Sequence, residues 1–151
     1  MNILEMLRND HAAVRGLFSK FDRTAMSQHE RRGELFVQIR REWQIHSRAE
    51  EEIFYPAVKA LDGTGMRLIS AAVKQHERVH DSLMQISRLK PSDKSFDEMV
   101  ETLLENVDHH IEEEEGEIFQ FAEENCSPER LEDLGRQFEG RKRAIDRLLA
   151  A

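Results

Sequence analysis

The sequence predicts an all-α protein, built as an up-down-up-down four-helix bundle with an additional C-terminal helix. Its 151 residues suit a single domain with a real core. Charged residues make up 34% and glycine and proline are few, as in soluble helical proteins. Apolar residues recur at steps of three and four, the period of a helix with one buried face. Turn residues leave four long helices with short links, which favours a bundle.

The first predicted helix covers about residues 2–23, and Asn2 and Glu5 have the spacing of a capping box at its start. A second box, Ser27–Glu30, is expected to open the second helix. The apolar faces of these two helices carry Leu4, Leu7, Val14, Phe18, Phe21, Phe36, Ile39, Trp43, Ile53 and Ala57.

The remaining helices follow from the same signals. Pro56 lacks a backbone donor and should kink the second helix, which is expected to end at a left-handed cap at Gly63. A third helix begins near Thr64, and a capping box at Ser95–Glu98 opens the fourth. Ser127-Pro128 predicts the start of the last helix. The domain is therefore expected to comprise a bundle over residues 1–125, with residues 126–151 packed on it or in a dimer contact.

Histidine and glutamate interrupt the apolar seam of each of the four long helices. Four residues separate His46 from Glu50, so both side chains lie on one helix face. His110 and Glu114 repeat the spacing, and an aromatic residue follows each histidine by nine positions. Counting from each turn at about 1.5 Å per residue places the polar groups at one depth in the bundle. The full set is His11, His46, Glu50, His76, His80, His110 and Glu114.

This set predicts a metal site. A lone histidine on an apolar seam is usually a satisfied core residue, but each unpartnered buried polar group costs about 1–3 kcal/mol. Several such costs are large against a net stability of about 5–15 kcal/mol, and a metal satisfies the groups together. His29 and His109 lie off the seams and are interpreted as solvated. Glu51 and Glu52 are assigned to the outer face or to the shell of residues around the ligands, and Glu115 remains the competitor of Glu114.

The number of donors favours two ions. Five imidazoles and two carboxylates exceed the needs of one tetrahedral zinc, and they suit two octahedral ions of iron or manganese bridged by the carboxylates. A ferritin-type site requires two Glu-x-x-His motifs, and only Glu77–His80 fits. The stretch His76–His80 also matches HExxH, the pattern of zinc hydrolases. That alternative is ranked lower because it leaves the other five residues unexplained.

The ordered motifs resemble the hemerythrin-like, or HHE cation-binding, domains. The resemblance covers about residues 1–125 and rests on Asp10-His11, His46-x-x-x-Glu50-Glu51 leading to Phe54-Tyr55-Pro56, His76-Glu77, and His110-x-x-x-Glu114-Glu115 leading to Phe119. Two positions depart from the pattern of the oxygen carriers. Their helix-four carboxylate is an Asp five residues after its histidine, where this chain has Glu115, and Gln120 stands where the first aromatic motif has a proline.

The resemblance implies a cofactor of two non-haem iron ions with a bridging oxo or hydroxo group. It assigns His76, His80 and His110 to one iron, His11 and His46 to the other, and Glu50 and Glu114 as bridges. One coordination position would be open to oxygen or a related small ligand, for binding or sensing. A di-iron oxidase, a peroxide-removing enzyme and an iron-handling protein remain alternatives. The sequence shows no obvious proton donor, and Tyr55 and Trp43 are interpreted as packing near the site.

Charge and composition restrict the partners. A net charge of −8 argues against nucleic acid and anionic membranes, because phosphate binding needs a basic face. No signal peptide is readable, and no apolar run is long enough to span a bilayer. A single cysteine, Cys126, fits the reducing cytoplasm. A small ligand is the expected partner, and the last helix is expected to pack across the bundle or against a second subunit in a homodimer.

Overall fold

The computed structural model describes residues 1–150, and helices account for nearly all of them. Two π-helical turns, Glu50–Phe54 and Glu114–Ile118, join consecutive α-helices without a break. Within the described range there is no strand, so the predicted all-α class is confirmed. The α-helices are α1 (Ile3–Asp22), α2 (His29–Ala49), α3 (Tyr55–Lys59), α4 (Gly63–Ser87), α5 (Lys94–Glu113), α6 (Phe119–Asn125) and α7 (Pro128–Ala150).

Two of the predicted helix starts are confirmed by their hydrogen bonds. The backbone N–H of Glu5 donates to Asn2 Oδ1 at 3.0 Å, which satisfies one of the unpaired donors at the start of α1. The backbone N–H of Arg130 likewise donates to Ser127 Oγ at 3.1 Å, just before α7. In both cases a short polar side chain precedes the first helical residue, as the sequence predicted.

The boxes predicted at Ser27 and Ser95 are wrong. Gln28 and Asp93 hold the N-cap positions of α2 and α5, one or two residues away from the predicted serines. Their side chains close the preceding turns instead, because Gln28 Oε1 accepts from the N–H of Ala25 at 2.7 Å and Asp93 Oδ2 from that of Lys90 at 3.0 Å. Both segments have the residue types of a capping box, but the side chains of Gln28 and Asp93 bond to the loop that precedes the helix.

The start of α4 differs from the predicted left-handed cap. Asp62 Oδ1 accepts hydrogen bonds from the N–H groups of Thr64 at 2.8 Å and Gly65 at 3.1 Å, so Asp62 caps α4. Gly63 is the first residue of α4, and none of the glycines in the described range has a positive φ. The glycine that the turn requires is Gly65, where a Cβ would lie 2.2 Å from the carbonyl oxygen of Val58.

Gly65→Ala is therefore expected to destabilise the fold by about 1–3 kcal/mol or more, because backbone and not a flexible side chain blocks the new methyl group. Gly63→Ala is the matched control, since its Cβ would meet nothing within 4 Å in the described structure. That variant should be neutral or stabilised by up to about 1 kcal/mol. Urea unfolding of both variants measures the difference. Equal stabilities would contradict the close approach of α3 and α4.

Two apolar clusters form the core, and the polar residues lie where one cluster gives way to the other. The first cluster surrounds Phe54 and Phe138, and the second surrounds Phe36 and Phe96. Along α1, Leu7 belongs to the first cluster and Val14 to the second, with His11 between them. The same change of cluster occurs at His46 on α2 and at His76 on α4, and after α5 it occurs between Ile111 and Ile118, across the turn that Glu114 begins. The helices therefore present these polar residues at about one level.

The last helix, α7, lies against α1, α2 and the first π-helical turn. Its buried face carries Leu131, Leu134, Phe138 and Ile145, which belong to the first apolar cluster. None of the helices in residues 1–150 combines the length and the apolar character needed to cross a membrane. Because α7 packs beside the level of the histidines, its polar residues reach the edge of the polar cluster.

Candidate metal centre

The centre is built on two copies of one local arrangement. On α2, His46 lies one helical turn before Glu50, and on α5, His110 lies one turn before Glu114. Each glutamate begins a π-helical turn, a rare widening that is frequent at functional sites. All four side chains are at most 1% exposed. The sequence therefore buries two carboxylates and two imidazoles in a core that is otherwise apolar.

Six of the seven predicted site residues meet in this core. They form two groups of four, and in each group one potential ligand atom per residue lies within 4.8 Å of the others. Both groups contain Glu50 and Glu114, so the carboxylates are shared. The first group is His11, His46, Glu50 and Glu114, and the second is Glu50, His76, His110 and Glu114.

The Nε2 atoms of the histidines point towards the shared carboxylates. His76 Nε2 lies 3.2 Å from Glu50 Oε1, and His110 Nε2 lies 3.2 Å from Glu114 Oε2. The Nε2 atoms of these two histidines are only 3.1 Å apart. In the other group, the distances are 3.3 Å from His11 Nε2 to Glu114 Oε1 and 3.5 Å from His46 Nε2 to Glu50 Oε1. Nitrogen lone pairs and carboxylates thus converge on the space between them.

Carboxylates outside the centre fix the rings of the first group. His11 Nδ1 donates to Glu115 Oε2 at 2.7 Å, and His46 Nδ1 donates to Asp10 Oδ2 at 2.9 Å. A proton held on Nδ1 leaves the Nε2 lone pair free towards the centre. Carboxylates in this position are typical of metal-binding histidines, because they set the tautomer and make the ring a stronger donor. Glu115, which the sequence left as the competitor of Glu114, therefore holds the ring of His11 from outside and belongs to neither group of four.

The second group has weaker outer support. His110 Nδ1 donates to the side-chain oxygen of Gln75 at 2.5 Å. His76 Nδ1 lies 3.7 Å from Glu51 Oε1, which is too far for a hydrogen bond. The two halves of the centre therefore differ: two charged carboxylates hold one pair of rings, and a neutral amide holds one ring of the other pair.

Unsatisfied atoms show that these residues fit a cation. Several buried inward-facing atoms have no hydrogen-bond partner within residues 1–150, namely His11 Nε2, His46 Nε2, both carboxylate oxygens of Glu50 and Glu114 Oε1. Leaving five such atoms unpaired would cost several kcal/mol, since each costs about 1–3 kcal/mol. Carboxylate oxygens and imidazole nitrogens are the donors that iron, manganese and zinc accept. Two cations between the shared carboxylates would satisfy all of the orphaned atoms.

The raised pKa values of two histidines show that the buried carboxylates favour positive charge beside them. Burial opposes protonation of His46, but the charge of Glu50 and the hydrogen bond to Asp10 raise its pKa to about 10. Burial likewise opposes protonation of His76, yet Glu50 and Glu51 raise its pKa to about 9. Without metal, protons on these rings therefore neutralise the buried carboxylates. A metal ion that binds here must displace those protons.

The centre contains one residue that sequence reasoning placed outside it. The hydroxyl of Tyr55 donates to Glu114 Oε2 at 2.6 Å and lies 3.1 Å from His76 Nε2. The cause is the π-helical turn, in which the N–H of Tyr55 bonds to the carbonyl of Glu50 five residues earlier. That turn brings Tyr55 beneath Glu50, as the second turn brings Phe119 beneath Glu114. The tyrosine and phenylalanine that follow the histidines by nine positions were the available signal.

His80 is the predicted ligand that the structure leaves out. It is exposed, and it belongs to neither group of four. The buried seam of α4 runs through His76, Val79 and Leu83, and His80 faces solvent beside it. The hydroxyl of Tyr55 lies 3.1 Å from His76 Nε2 instead. The role of His80 as a ligand stays a prediction that this arrangement does not favour.

Aromatic rings close the centre against water. Trp43 lies against three of the histidines, with ring centroids 5.5 Å from His46, 5.4 Å from His76 and 5.8 Å from His110. On the opposite side, Phe119 stacks on His11 at 6.1 Å. Electrostatic interactions inside such a dry pocket are stronger than at the surface. The interpretation of Trp43 as packing at the site level agrees with this placement.

The C-terminal helix reaches the centre through one ion pair. Lys142 Nζ on α7 donates to Asp10 Oδ1 at 2.5 Å, and the other oxygen of Asp10 accepts from His46. Burial alone would raise the pKa of Asp10, but His46 and Lys142 together lower it. Phe138 also packs edge-on against His46, at 6.3 Å between ring centroids. The helix thus supports a residue of the centre without contributing a donor to it.

The model of the hemerythrin HHE cation binding domain matches residues 2–122 of the chain. The chain belongs to the hemerythrin HHE cation-binding family. The HHE match spans α1 to α6 and so contains all six clustered residues, while α7 lies beyond it. The resemblance drawn from the sequence motifs is thereby confirmed.

One solved structure and one of two relatives carry names that agree with the HHE assignment. A crystal structure of a hemerythrin HHE cation binding domain-containing protein from Mycobacterium kansasii superposes with a TM-score of 0.85 and 26% identity, covering 97% of this chain and 88% of that one. A DNA nickase of Nostoc sp. is 30% identical over 99% of this chain. An uncharacterized hemerythrin-like protein of Schizosaccharomyces pombe is 27% identical over 68% of it. The HHE chain spans only 41% and 52% of the lengths of these two relatives.

Proposed function

We propose that the centre holds two non-haem iron ions and binds oxygen or a related small oxidant, reversibly or as a sensor. The observation that carries this proposal is the pair of four-residue groups that share both Glu50 and Glu114. Bound iron would supply redox chemistry and an exchangeable coordination position for the small ligand. The protein itself supplies a dry pocket, fixed imidazole rings and shared negative charge.

The roles of the residues follow from the two groups. His11 and His46 would hold one ion, His76 and His110 the other, and the two carboxylates would serve both. These donors are too few to fill two octahedral shells, which leaves room for an exogenous ligand. The hydroxyl of Tyr55, 3.1 Å from His76 Nε2, is the nearest additional oxygen that the geometry offers.

The frame that we propose is the up-down-up-down four-helix bundle over residues 1–125. Its support is the direction in which each helix passes the two apolar clusters. The helices α1 and α4 run from the first cluster to the second, while α2, and α5 continued by α6, run from the second to the first. Residues 126–151 would form a further unit that packs on the bundle, as the contacts of α7 with α1 and α2 favour. A homodimer through this helix stays a prediction, and a measurement of the molecular mass in solution would test it.

A small ligand, and neither nucleic acid nor a membrane, is the partner that we propose. The nickase name belongs to a relative more than twice as long. The net charge of −8 disfavours phosphate backbones, and basic residues of α7 are engaged by acids, as Arg141 is by Glu52 and Lys142 by Asp10. The single Cys126 supports a reducing cytoplasm as the proposed location.

Metal analysis of protein from iron-supplemented cells tests the proposal. We expect about two iron ions per chain, and we expect His76→Ala to lose at least one of them because His76 lies in the second group. His29→Ala is the control, since His29 is exposed at the start of α2. A single zinc ion without iron would overturn the proposal, as would metal loss in the control and not in His76→Ala.

Tyr55 favours a second candidate function, an enzyme that removes peroxide. Its hydroxyl holds a proton inside the centre, 2.6 Å from Glu114, where general acid catalysis needs one. Burial, followed by the charges of Glu114 and Glu50, raises the pKa of Tyr55 well above its usual value in the absence of metal. Cations bound beside the hydroxyl would lower this pKa towards the range that a general acid needs.

Tyr55→Phe tests this second candidate. It should keep the ring packing and the two ions, and it should lower peroxide turnover by roughly 10²-fold or more if the hydroxyl supplies the proton. Stopped-flow mixing of the reduced protein with oxygen and with peroxide separates the candidates. An adduct that releases oxygen under vacuum, with no peroxide turnover, would support binding and rule out the enzyme.

A further inference from the structure

A groove on the protein surface leads to one edge of the metal centre. It has a volume of about 450 Å³ and lies between the C-terminal part of α2, the first π-helical turn and α4. The charged and ionisable side chains that line it are Arg48, Glu51, His76, Glu77, His80 and Asp81. Three carboxylates against one guanidinium make the groove negative. An imidazole and carboxylates are also the groups that capture a divalent metal ion.

His76 connects this groove with the interior. Its Nε2 atom faces Glu50 at 3.2 Å, and its ring lines the groove although the residue is only 3% exposed. Its Nδ1 atom has no hydrogen-bond partner within the described residues. The nearest carboxylate is that of Glu51, at 3.7 Å, and the side chain of Glu51 is 38% exposed. One ring therefore has an inner nitrogen in the centre and an outer nitrogen beside a solvated acid.

The other three rings are closed on their outer side. Glu115, Asp10 and Gln75 accept hydrogen bonds from the Nδ1 atoms of His11, His46 and His110. These bonds hold each ring in one orientation. The ring of His76 lacks that restraint, so it is the ligand that can turn or shift to admit an ion. A route through any of the other three would require breaking a partly buried hydrogen bond.

The position of His80 accounts for the part of the HExxH motif that the centre does not use. His80 lies one helical turn after His76 on α4, is exposed, and lines the same groove with Glu77 and Asp81. Residues at this spacing are neighbours on a helix surface. The two histidines of the motif thus lie at the inner end and on the outer wall of one groove.

We propose that this groove is the loading route for divalent metal ions, with Glu51 and His80 as the first contacts and His76 as the residue that passes each ion inward. The inference rests on the proposed metal-binding function and adds a path to it. Carboxylates at the entrance raise the local concentration of cations and the rate of association, and salt screens this effect. The final complement of ions is set by the six buried residues, so the groove controls rate and not capacity.

Stopped-flow uptake of Co²⁺ by the metal-free protein tests the route, because the visible absorption of Co²⁺ reports its ligands without any catalytic turnover. The variant is Glu51→Gln with His80→Ala, and the matched control is Glu30→Gln with His29→Ala, an exposed pair at the far end of α2. We expect uptake to slow by about tenfold in the groove variant and to be unchanged in the control. Both variants should bind as many ions per chain as the unmodified protein. Circular dichroism of the metal-free forms checks that each is folded.

Two results would overturn the route while leaving the metal centre intact. One is equal uptake rates in the groove variant and the unmodified protein. The other is a lower final number of ions in the groove variant, which would make Glu51 or His80 a ligand. Failure of the unmodified protein to bind Co²⁺ or Fe²⁺ at all would instead overturn the proposed function, and the route with it.

Discussion

Replacing Glu114 with glutamine is expected to abolish the binding of both ions of the proposed centre. Glu114 belongs to both groups of four, is 1% exposed, and faces His11 with one oxygen and His110 with the other. Glutamine keeps the shape but removes the charge that two cations share. The loss of affinity should exceed the roughly 10–100-fold that removal of an outer partner costs. Metal analysis after dialysis against a weak chelator measures it.

Two neighbours on the same helix supply the controls. Glu112→Gln changes an exposed acid two residues away and should keep both ions. Glu115→Gln removes only the acceptor of His11 Nδ1, so it should keep the site but weaken it by roughly 10–100-fold. Retention of two tightly bound ions by Glu114→Gln, or their loss from Glu112→Gln, would contradict the arrangement described above.

The metal-free and metal-loaded forms are expected to respond to pH in opposite directions. In the metal-free protein the pKa values of His46 and His76 rise from 6.5 to about 10 and about 9. The folded state therefore binds more protons than the unfolded chain above pH 6.5. The stabilisation is complete below that pH and is lost as the pH rises through 9 to 10. The metal-free form should thus become less stable between pH 6.5 and 9.

The stability of the metal-loaded form should change with pH in the opposite direction. Its histidines must be neutral to bind metal, so protons compete with the ions and acidification releases them. Metal at a thousand times its dissociation constant stabilises the fold by about 4 kcal/mol, and this stabilisation disappears as the ions leave. Thermal unfolding at several pH values, with chelator and with saturating Co²⁺, measures both slopes. Parallel slopes in the two series would show that protons and metal do not exchange on these rings.

The sequence was sufficient to predict the depth at which the site lies. His46 and Glu50 are four residues apart because one face of a helix repeats with that spacing, and His110 and Glu114 follow the same rule. Counting along helices of fixed rise then brought His11 to the same level. This information is local and periodic, so it can be read from residue types alone.

One remaining difference arises where the helical period changes. A π-helical turn shifts the face of every later residue, which is how Tyr55 comes to lie inside and not beside the centre. Pro56 does not by itself explain the turn, since the second turn forms with Gln120 at the matching position. The position of His80 has a different cause, because the buried seam of the regular helix α4 passes from His76 to Val79 and Leu83. Spacings of three and of four residues both fit a helix seam, so residue types alone did not separate these two positions.

The contact between Lys142 and Asp10 extends the functional unit beyond the family-matched region. Residues 2–122 contain all six buried residues of the centre. Asp10, the carboxylate that accepts from His46, is paired with Lys142, which lies twenty positions beyond the end of that region. Replacement of Lys142 is therefore expected to alter the electron-donating strength of the His46 imidazole without changing any of the six buried residues. Proteins with the same six buried groups but a different following helix would hold metal with a different affinity. Evolution can thus change the metal affinity of this centre through α7, a helix that contains none of the six buried residues.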